Sequence, residues 1–562
     1  MNNDELLFLP LGGAGEIGMN VSLYGLGGRW LMVDCGITFA DDRLPGVEIV
    51  VPDLAFAEAQ ADRLDGIVLT HAHEDHYGAI GHVWEQLRCP VWCTRFTAAM
   101  LRGKLMEAGL HGEVPVNVVD VDRPFRVGSF DCSFVAMSHS IPEAHALVLT
   151  TPHGKVVHSG DWKLDPEPLV GYRTDGLQLE RLGDEGVLAL VCDSTNALKH
   201  GTAGSEGEVR DSLRALVAAQ PNRVLVTSFA SNVARLHTVI EAAAAAGREV
   251  VVVGRSMHRV IGAAREAGYL QDIPDIVPER QAVGLPRDRT LILSTGCQGE
   301  SRAALSRIAT GQHPHVRLEP DDTAIFSSKI IPGNERALYD LHNRLIQAGV
   351  EVITEEDHFV HVSGHPCRDE LAQLYRWVRP KIAVPVHGEA RHLHEHRRLA
   401  LELGVPQAVQ VFNGDMVRLA PGLPERVDNV PTGRFAVDSG ALREAGDDLF
   451  RVRRRLMQSG TVLVGLVMDD AGSLIADPRI TALGATRLDD AAAHGRAVAA
   501  AVETVEDLPD WQAVDDERVS EAVRGAMRRA LELGRDRRPI IEVQITRLNA
   551  AALAALEAGA AS

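Results

Sequence analysis

Residues 66–78, GIVLTHAHEDHYG, decide the fold of this chain. A short apolar run, typical of a buried strand, ends in His71, His73, Asp75 and His76. Neutral imidazole and carboxylate groups are ligands that zinc accepts, and side chains two positions apart in an extended segment point to the same side. His71 and His73 can therefore bind one ion, while Asp75 and His76, beyond the bend, can reach a second. Two ions about 3.5–4 Å apart clamp the attacking and leaving oxygens of a phosphoryl displacement, so the segment predicts a two-metal hydrolytic centre rather than a solvated polar loop.

A glycine-rich stretch upstream offers a competing interpretation. Gly13, Gly15 and Gly18, in GAGEIG, match a dinucleotide-binding pattern, and Asp34 follows near the distance of a ribose ligand. That pattern needs a helix directly after the glycines, because the helix N-terminus holds the pyrophosphate. The residues that follow, MNVSLYGL, alternate as a strand instead. The glycines are therefore predicted to form a hairpin turn.

The composition fits an ordinary soluble protein of about three or four domains. The chain has 562 residues, of which 45% are hydrophobic and 24% are charged. Its net charge of −20 argues against indiscriminate binding of a phosphate backbone, so a nucleic-acid substrate would need a local basic or metal-lined groove. The seven cysteines lack paired zinc-finger spacing and are predicted to be buried thiols. With no secretory signal and no apolar run of about 20 residues, the sequence predicts a cytoplasmic protein without membrane contact.

The pattern of strands and helices changes along the chain. Residues 1–205 are rich in short β-branched runs, whereas residues 206–350 alternate strands with amphipathic helices, which is typical of a parallel α/β unit. Residues 351–425 return to short predicted strands, among them HVSGH, so the α/β unit is predicted to be inserted into the first domain. Residues 426–449 are predicted as a linker, and residues 450–562 as a small α/β domain.

The metal motif resembles that of the metallo-β-lactamase fold, an αββα sandwich. By this resemblance Asp34 in VDCG, His139 in MSHS and Asp161 in SGDWK are further motifs of the fold. Asp34 is implied to accept an N–H of a ligand imidazole and fix its orientation. The implied ligands are His71, His73 and His139 for one ion, Asp75 and His76 for the other, and Asp161 between them. Asp75 is counted among the catalytic residues as well.

Three further motifs narrow the resemblance to the β-CASP nucleases. They are Asp193 in LVCDSTN, His365 in HVSGHP and His387 in VPVHGE, with the α/β insertion between the first and the second. His387 is implied to complete the second metal site. The phrases GGAGEIGMN, THAHEDHYGAI, SGDWKLD, CDSTNA, SFASNVARL, SKIIPGNE and HVSGHP resemble the ribonuclease J branch of this family across residues 5–420, and the C-terminal domain resembles its counterpart in that branch.

This resemblance implies an activity and its requirements. It implies two Zn²⁺ per subunit, with Mn²⁺ or Mg²⁺ as ions that support activity. It also implies a 5′→3′ exoribonuclease that prefers single-stranded RNA with a 5′-monophosphate, with internal cleavage besides, in the maturation and decay of ribosomal and messenger RNA. A homodimer or homotetramer is expected from the C-terminal domain of relatives. Partners in RNA degradation or on the ribosome are left open.

The segment HVSGH is implied to be the substrate-phosphate loop. Its two imidazoles, a hydroxyl and a glycine that lets backbone N–H groups approach can hold a phosphate oxygen; the loop residues are His361, Val362, Ser363, Gly364 and His365. His365 is the candidate that gives a proton to the leaving 3′ oxygen, because imidazole titrates near neutral pH. A solvated turn with two histidines is the alternative.

Three further residues and one basic run have candidate roles. Asp193 is assigned a supporting role, such as a proton relay, but an Asp before Ser-Thr-Asn also caps turns. Ser231 and Asn232 open a helix after a strand, where free N–H groups attract an RNA phosphate; both are also ordinary helix caps, and the two roles are compatible. The basic run at residues 451–455 could contact RNA or serve as a basic linker or interdomain strand.

Other functions stay open at this stage. A β-CASP nuclease could act on DNA, because contacts to the ribose 2′-OH decide between the substrates. A small-molecule hydrolase of the same fold, such as a lactonase, lacks the long insertion. A catalytically silent RNA-binding or assembly protein would be expected to lose metal ligands, yet all seven candidates are present.

Overall fold

The computed structural model describes residues 4–485, 491–531 and 539–552. The chain divides into two units, one formed by Met1–Phe39 with Ile49–Val437 and the other by Ala40–Glu48 with Asp438–Ser562. Among the residues described, no helix combines the length and apolar character that crossing a membrane requires.

The first part of the large unit is built mostly from strands. Its strands are β1 (Leu6–Gly12), β2 (Ala14–Gly15), β3 (Val21–Leu26), β4 (Arg29–Val33), β5 (Thr38–Phe39), β6 (Ile49–Pro52), β7 (Leu64–Val68), β8 (Val91–Cys93), β9 (Val116–Val118), β10 (Phe125–Val127), β11 (Phe130–Met137), β12 (Ala144–Thr151), β13 (Gly154–His158) and β14 (Val187–Asp193). Its helices are α1 (Ala55–Ala59), α2 (Glu74–Tyr77), α3 (Ile80–Leu87), α4 (Arg95–Glu107) and α5 (Gly176–Glu185).

The inserted α/β domain follows, and its strands are short continuous apolar runs because helices cover both faces of a parallel sheet. Its helices are α6 (Glu206–Ala219), α7 (Val233–Ala245), α8 (Arg255–Glu266), α9 (Ala304–Ala309) and α10 (Glu335–Gln347). Its strands are β15 (Val224–Thr227), β16 (Glu249–Val253), β17 (Thr290–Ser294), β18 (Thr323–Phe326) and β19 (Glu351–Ile353), all parallel in the order β16-β17-β15-β18-β19.

The chain then returns to the first domain. The return segment contains α11 (Arg368–Val378), β20 (Ile382–Val386), β21 (Gly388–Glu389), α12 (Ala390–Glu402), β22 (Gln407–Ala408), β23 (Asp415–Ala420), β24 (Glu425–Asn429) and β25 (Arg434–Asp438). Residues 361–365, predicted as a short strand, form a loop instead. The predicted linker at 426–449 also contains strand residues.

Two sheets of the large unit face each other. One has the order β24-β23-β1-β3-β4-β7-β8-β9, and the other has the order β10-β11-β12-β13-β14-β20-β22. Their facing side chains form one core, which includes Phe8 and Leu31 of the first sheet and Leu147 and Val191 of the second. Helices α5 and α11 cover the outer face of the second sheet. This is the αββα sandwich that the resemblance implies, with the parallel domain inserted between β14 and β20.

The glycine-rich stretch is followed by a strand, as the sequence predicts. β3 pairs antiparallel with β1, so no helix begins after Gly18. All three glycines have positive φ, between 80° and 96°, a conformation that other residues rarely adopt. The dinucleotide interpretation therefore lacks its helix.

The smaller unit has its own core. It contains β26 (Ala441–Glu444), α13 (Asp448–Ser459), β27 (Thr461–Asp469), β28 (Leu474–Leu483), α14 (Ala491–Glu506), α15 (Asp510–Ala513), α16 (Asp516–Ala530) and β29 (Ile540–Leu548). β27 pairs antiparallel with β28 and parallel with β29, and one sheet face packs on α14 and α16. The basic run at 451–455 lies within α13, where Arg453 pairs with Asp438. The predicted domain boundaries stay predictions.

Candidate metal centre

The candidate ligands follow the carboxyl ends of strands in both sheets. His71 lies three residues after β7, His139 two residues after β11, and Asp161 three residues after β13. Asp193 ends β14, and His387 directly follows β20. Because β4 and β7 are parallel, as are β13, β14 and β20, these ends converge at one edge of the sandwich.

The first group of donors consists of three imidazoles and a carboxylate. The ligand atoms of His71, His73, His139 and Asp161 all lie within 4.8 Å of one another. His73 Nδ1 is 3.1 Å from His71 Nε2 and 3.0 Å from His139 Nε2. Burial lowers the pKa of all three histidines, that of His73 to about 4, so the imidazoles are neutral, as metal ligands must be.

The second group shares Asp161 with the first. It combines Asp75, His76, Asp161 and His387 within the same 4.8 Å limit. His76 Nε2 lies 3.2 Å from Asp161 Oδ2, and His387 Nε2 lies 3.4 Å from Asp75 Oδ2. Burial lowers the pKa of both histidines, but the surrounding carboxylates, with Asp161 the strongest, outweigh it and raise both values.

Asp34 fixes one of these imidazoles. Its Oδ2 lies 2.7 Å from His76 Nδ1 and accepts a hydrogen bond from Thr70 Oγ1 at 2.9 Å, while Oδ1 accepts the Thr70 N–H at 2.8 Å. With Nδ1 held by a carboxylate, His76 Nε2 is the atom left for a metal. Asp34 therefore contacts the imidazole of a candidate ligand and is not itself a member of a donor group.

A third group extends toward the substrate loop. It joins Asp161 and His387 to Asp193 and His365. His365 Nδ1 lies 2.8 Å from Asp193 Oδ2, and Asp193 Oδ1 accepts the N–H and the hydroxyl of Thr195 at 2.8 and 2.7 Å. Although burial lowers the pKa of His365, Asp193 and Asp161 raise it above the ordinary value.

The loop at 361–365 is attached to the metal centre by specific contacts. The Gly364 carbonyl lies 2.6 Å from His139 Nδ1, and a Cβ at Gly364 would stand only 2.7 Å from His139 Cε1. Ser363 Oγ accepts hydrogen bonds from Asn196 Nδ2 and from the His365 N–H. Val362 is buried, and His361 Nδ1 is buried without a hydrogen-bond partner among the described residues.

Ser231 and Asn232 lie in the inserted domain. Asn232 is buried and caps α7, where its side chain accepts the Arg235 N–H at 2.9 Å, and its Nδ2 lies 3.4 Å from Glu206. These contacts occupy the Asn232 amide, and no contact joins it to the metal donors in the described structure. Its role toward RNA, like that of Ser231, stays a prediction.

Sequence reasoning missed several supporting residues. Asn196 holds the substrate loop, and Thr70 holds Asp34. Arg235 is fully buried, pairs with Glu206 and donates to the Val360 carbonyl at 2.8 Å, directly before the loop. The glycine-rich turn also reaches the centre, because the Gly13 carbonyl accepts the His387 N–H at 2.6 Å. The sequence signal for these residues was their position within the phrases that carry the family resemblance.

Comparisons with known proteins agree with this architecture. Family models match residues 14–227 (metallo-beta-lactamase superfamily), 221–345 (ribonuclease J, beta-CASP domain), 349–411 (Zn-dependent metallo-hydrolase RNA specificity domain) and 449–548 (ribonuclease J C-terminal domain). A crystal structure of a protein of unknown function from Enterococcus faecalis has a TM-score of 0.51 at 15% identity, over 74% of this chain and 100% of that one. That likeness bears on the fold alone.

Curated relatives cover nearly the whole chain. Ribonuclease J of Sinorhizobium meliloti is 44% identical over 97% of this chain and 98% of its own length. Ribonuclease J of Mycolicibacterium smegmatis is 42% identical over 82% of both chains, and that of Corynebacterium glutamicum is 36% identical over 95% of this chain and 75% of its own. With its metallo-β-lactamase and β-CASP domains and its buried His/Asp centre, the chain belongs to the ribonuclease J family.

Proposed function

We propose that this protein is a two-zinc ribonuclease that hydrolyses phosphodiester bonds of single-stranded RNA. It degrades RNA 5′→3′ from 5′-monophosphate ends, also cuts internally, and acts in RNA maturation and decay. The observation that carries the proposal is the placement of Asp161 in both four-donor groups, beside the His365–Asp193 pair. The RNA specificity model over residues 349–411 and the names of the relatives favour RNA over DNA.

The donor set fits two zinc ions. Histidine nitrogens and carboxylate oxygens are zinc ligands, and each group offers four within 4.8 Å. The buried Nε2 of His387 has no hydrogen-bond partner among the described residues, which is expected for an atom reserved for a metal. When bound, zinc lowers the pKa of a coordinated water toward about 7 and polarises the phosphoryl oxygens.

The protein's own groups supply orientation and a proton. The substrate loop, with its hydroxyl and backbone N–H groups, holds a non-bridging oxygen of the scissile phosphate. Asp193 accepts a hydrogen bond from Nδ1–H of His365 and, together with Asp161, raises the pKa of this histidine, which favours the imidazolium form. The imidazolium passes its Nε2 proton to the leaving ribose 3′ oxygen and becomes the neutral imidazole. The other product then ends in a 5′-phosphate. Asp75 Oδ2 lies 3.4 Å from His387 Nε2 and 3.7 Å from His76 Nε2, so it would share a metal ion with both imidazoles.

The proposal extends to the assembly and its place in the cell. We assign a homodimer or homotetramer in the cytoplasm, with Mn²⁺ or Mg²⁺ as ions that can support activity beside zinc. Light scattering of the full chain and of a chain ending at Pro421 tests the assembly. An unchanged number of subunits after truncation would contradict a role of the C-terminal domain in association.

The test of the function is product analysis with uniformly labelled single-stranded RNA that carries a 5′-monophosphate. We expect mononucleotides from the wild type, slower release from 5′-triphosphate RNA, and strongly reduced release by His76→Ala. The matched control is His394→Ala, an exposed histidine of α12, which should behave as wild type. Intact RNA with all proteins would contradict the proposal, and equal cleavage of DNA of the same sequence would contradict RNA specificity.

A further inference from the structure

Three exposed phenylalanines lie beside segments that are joined to the metal centre. The chain contains thirteen phenylalanines, all within the described residues. Ten are buried or half-buried, whereas Phe39, Phe359 and Phe412 are 73%, 48% and 42% exposed. None of the three pairs with another aromatic ring in the described part of the chain, and each side chain is partly open to solvent.

Phe39 borders the segment that carries the second metal group. It lies two residues after Ile37, whose N–H donates to the Glu74 carbonyl at 3.0 Å. Glu74 is the chain neighbour of Asp75. One backbone hydrogen bond, two residues away from Phe39, therefore joins this segment to the metal donors, while the Phe39 side chain is exposed.

Phe359 borders the substrate loop from the other side. It lies two residues before His361, and its ring comes within 3.8 Å of the position that a Cβ at Gly204 would take. The Gly204 carbonyl in turn accepts a hydrogen bond from Lys163, two residues after Asp161. This ring is thus held beside the loop that contacts the phosphate in the proposed function.

Phe412 packs on the glycine-rich turn. Its ring lies 2.9 Å from the position of a Cβ at Gly15, so only glycine allows this contact. The next residue, Asn413, bonds Ala14 twice, through its N–H at 3.0 Å and through Oδ1 at 2.8 Å. Ala14–Gly15 pairs with Gly388–Glu389, directly after His387. The ring is therefore fixed, exposed and one strand away from a metal donor.

We infer that Phe39, Phe359 and Phe412 are stacking platforms for bases of single-stranded RNA on its way to and from the centre, an inference that rests on the proposed function. Every base has a π-face, so stacking on an aromatic ring binds single strands without regard to sequence. Phe412, packed on Gly15, and Phe359, beside Gly204, are already restrained, so these two rings lose little entropy when a base binds. Because the chain carries a net charge of −20, stacking adds affinity that long-range attraction of phosphate does not supply.

The test is a cycle of protein and RNA changes, measured by fluorescence anisotropy with a 5′-monophosphorylated single strand. His76→Ala serves as the background in which the RNA stays intact. Phe412→Leu is expected to weaken binding about tenfold, and Phe412→Trp to retain it. An abasic nucleotide at the stacked position should weaken binding to the parent protein about tenfold and should cause no further loss in Phe412→Leu. For Phe39→Leu and for Phe359→Leu, we expect the abasic nucleotide that causes no further loss of affinity to lie at a different position of the RNA in each case.

Controls separate stacking from folding and from the proposed function. Trp511→Leu removes an exposed aromatic ring from the other structural unit and should leave binding unchanged. Circular dichroism must match across the variants. The stacking sites would be contradicted if the leucine variants bind intact RNA as tightly as their parent. They would also be contradicted if the loss of affinity from the leucine substitution and the loss from the abasic nucleotide are additive at every position. Failure of the wild type to hydrolyse the RNA would instead overturn the proposed function, since the binding cycle does not depend on hydrolysis.

Discussion

At the scale of single residues, the hydrogen bonds that orient the metal donors are as specific as the donors themselves. Asp34 accepts two bonds from Thr70 and holds His76 Nδ1, which turns Nε2 toward Asp161. Asp34→Asn removes the carboxylate charge, so we expect zinc affinity to fall about 10–100-fold. Competition with a chromogenic chelator measures it, and Asp62→Asn, at an exposed site, is the control. Equal zinc affinity in the two variants would contradict this role of Asp34.

A second residue-scale prediction concerns Gly364. A Cβ there would stand 2.7 Å from His139 Cε1, so Gly364→Ala must displace either the loop or the imidazole. We expect a loss of RNA hydrolysis of about 100-fold with the fold retained, because displacement by about 1 Å is that costly. Gly262→Ala is the matched control, since a Cβ there meets nothing within 4 Å; it should stabilise α8 by about 0.5–1 kcal/mol. Wild-type rates for Gly364→Ala would show that the loop can shift without cost.

At the scale of elements, substitutions at the start of α7 can distinguish a role of Asn232 in helix capping from a role in substrate binding. Asn232 accepts the Arg235 N–H, so Asn232→Ala should lower the free energy of unfolding by about 1 kcal/mol, while Asn232→Ser, another good cap, should retain most of it. Urea denaturation measures both. If Asn232→Ser binds RNA like the wild type, capping accounts for this residue; a loss of RNA binding at full stability would support the predicted phosphate contact.

At the scale of the whole molecule, one buried arginine joins the inserted domain to the return segment. Arg235 of α7 pairs with Glu206 of α6 and donates to the Val360 carbonyl and to Ser327 after β18. Arg235→Met leaves a buried carboxylate without its partner, so we expect a loss of about 3–5 kcal/mol in the free energy of unfolding. Thermal or urea unfolding measures it, and Arg398→Met, from an exposed pair with Glu395, should change stability by no more than about 0.5 kcal/mol.

The double variant sharpens this prediction. In Arg235→Met the buried carboxylate of Glu206 is left without a partner. Adding Glu206→Gln removes that charge, so part of the lost free energy of unfolding should be recovered. Losses that simply add would mean that the two side chains act independently and that the pair does not hold the inserted domain in place.

The chemistry of the centre and the succession of folding patterns are encoded in short stretches of the sequence. The string His-x-His-x-Asp-His after an apolar run indicates metal ligands, because side chains two positions apart in an extended segment point to the same side. This relation involves only neighbouring residues, so it can be recognised in the sequence. The continuous apolar strands of the inserted domain indicate a parallel sheet, because strands covered on both faces are apolar at every position. The absence of a helix after Gly18 could also be predicted, because the next residues alternate as a strand.

Contacts between residues that are far apart in the sequence became visible in the folded chain. Asp161 and His387 are 226 positions apart, and His139 and Gly364 are 225 apart, so no local pattern encodes their contacts. The strand pattern at residues 361–365 was misleading, although the family resemblance implied a loop there, and the helix at 451–455 was not predicted. The loop's conformation depends on Asn196 and His139, which reach it from another strand end. Propensity acts over a few neighbouring residues, whereas a metal centre is assembled where the ends of many strands converge, and that convergence is a property of the folded chain.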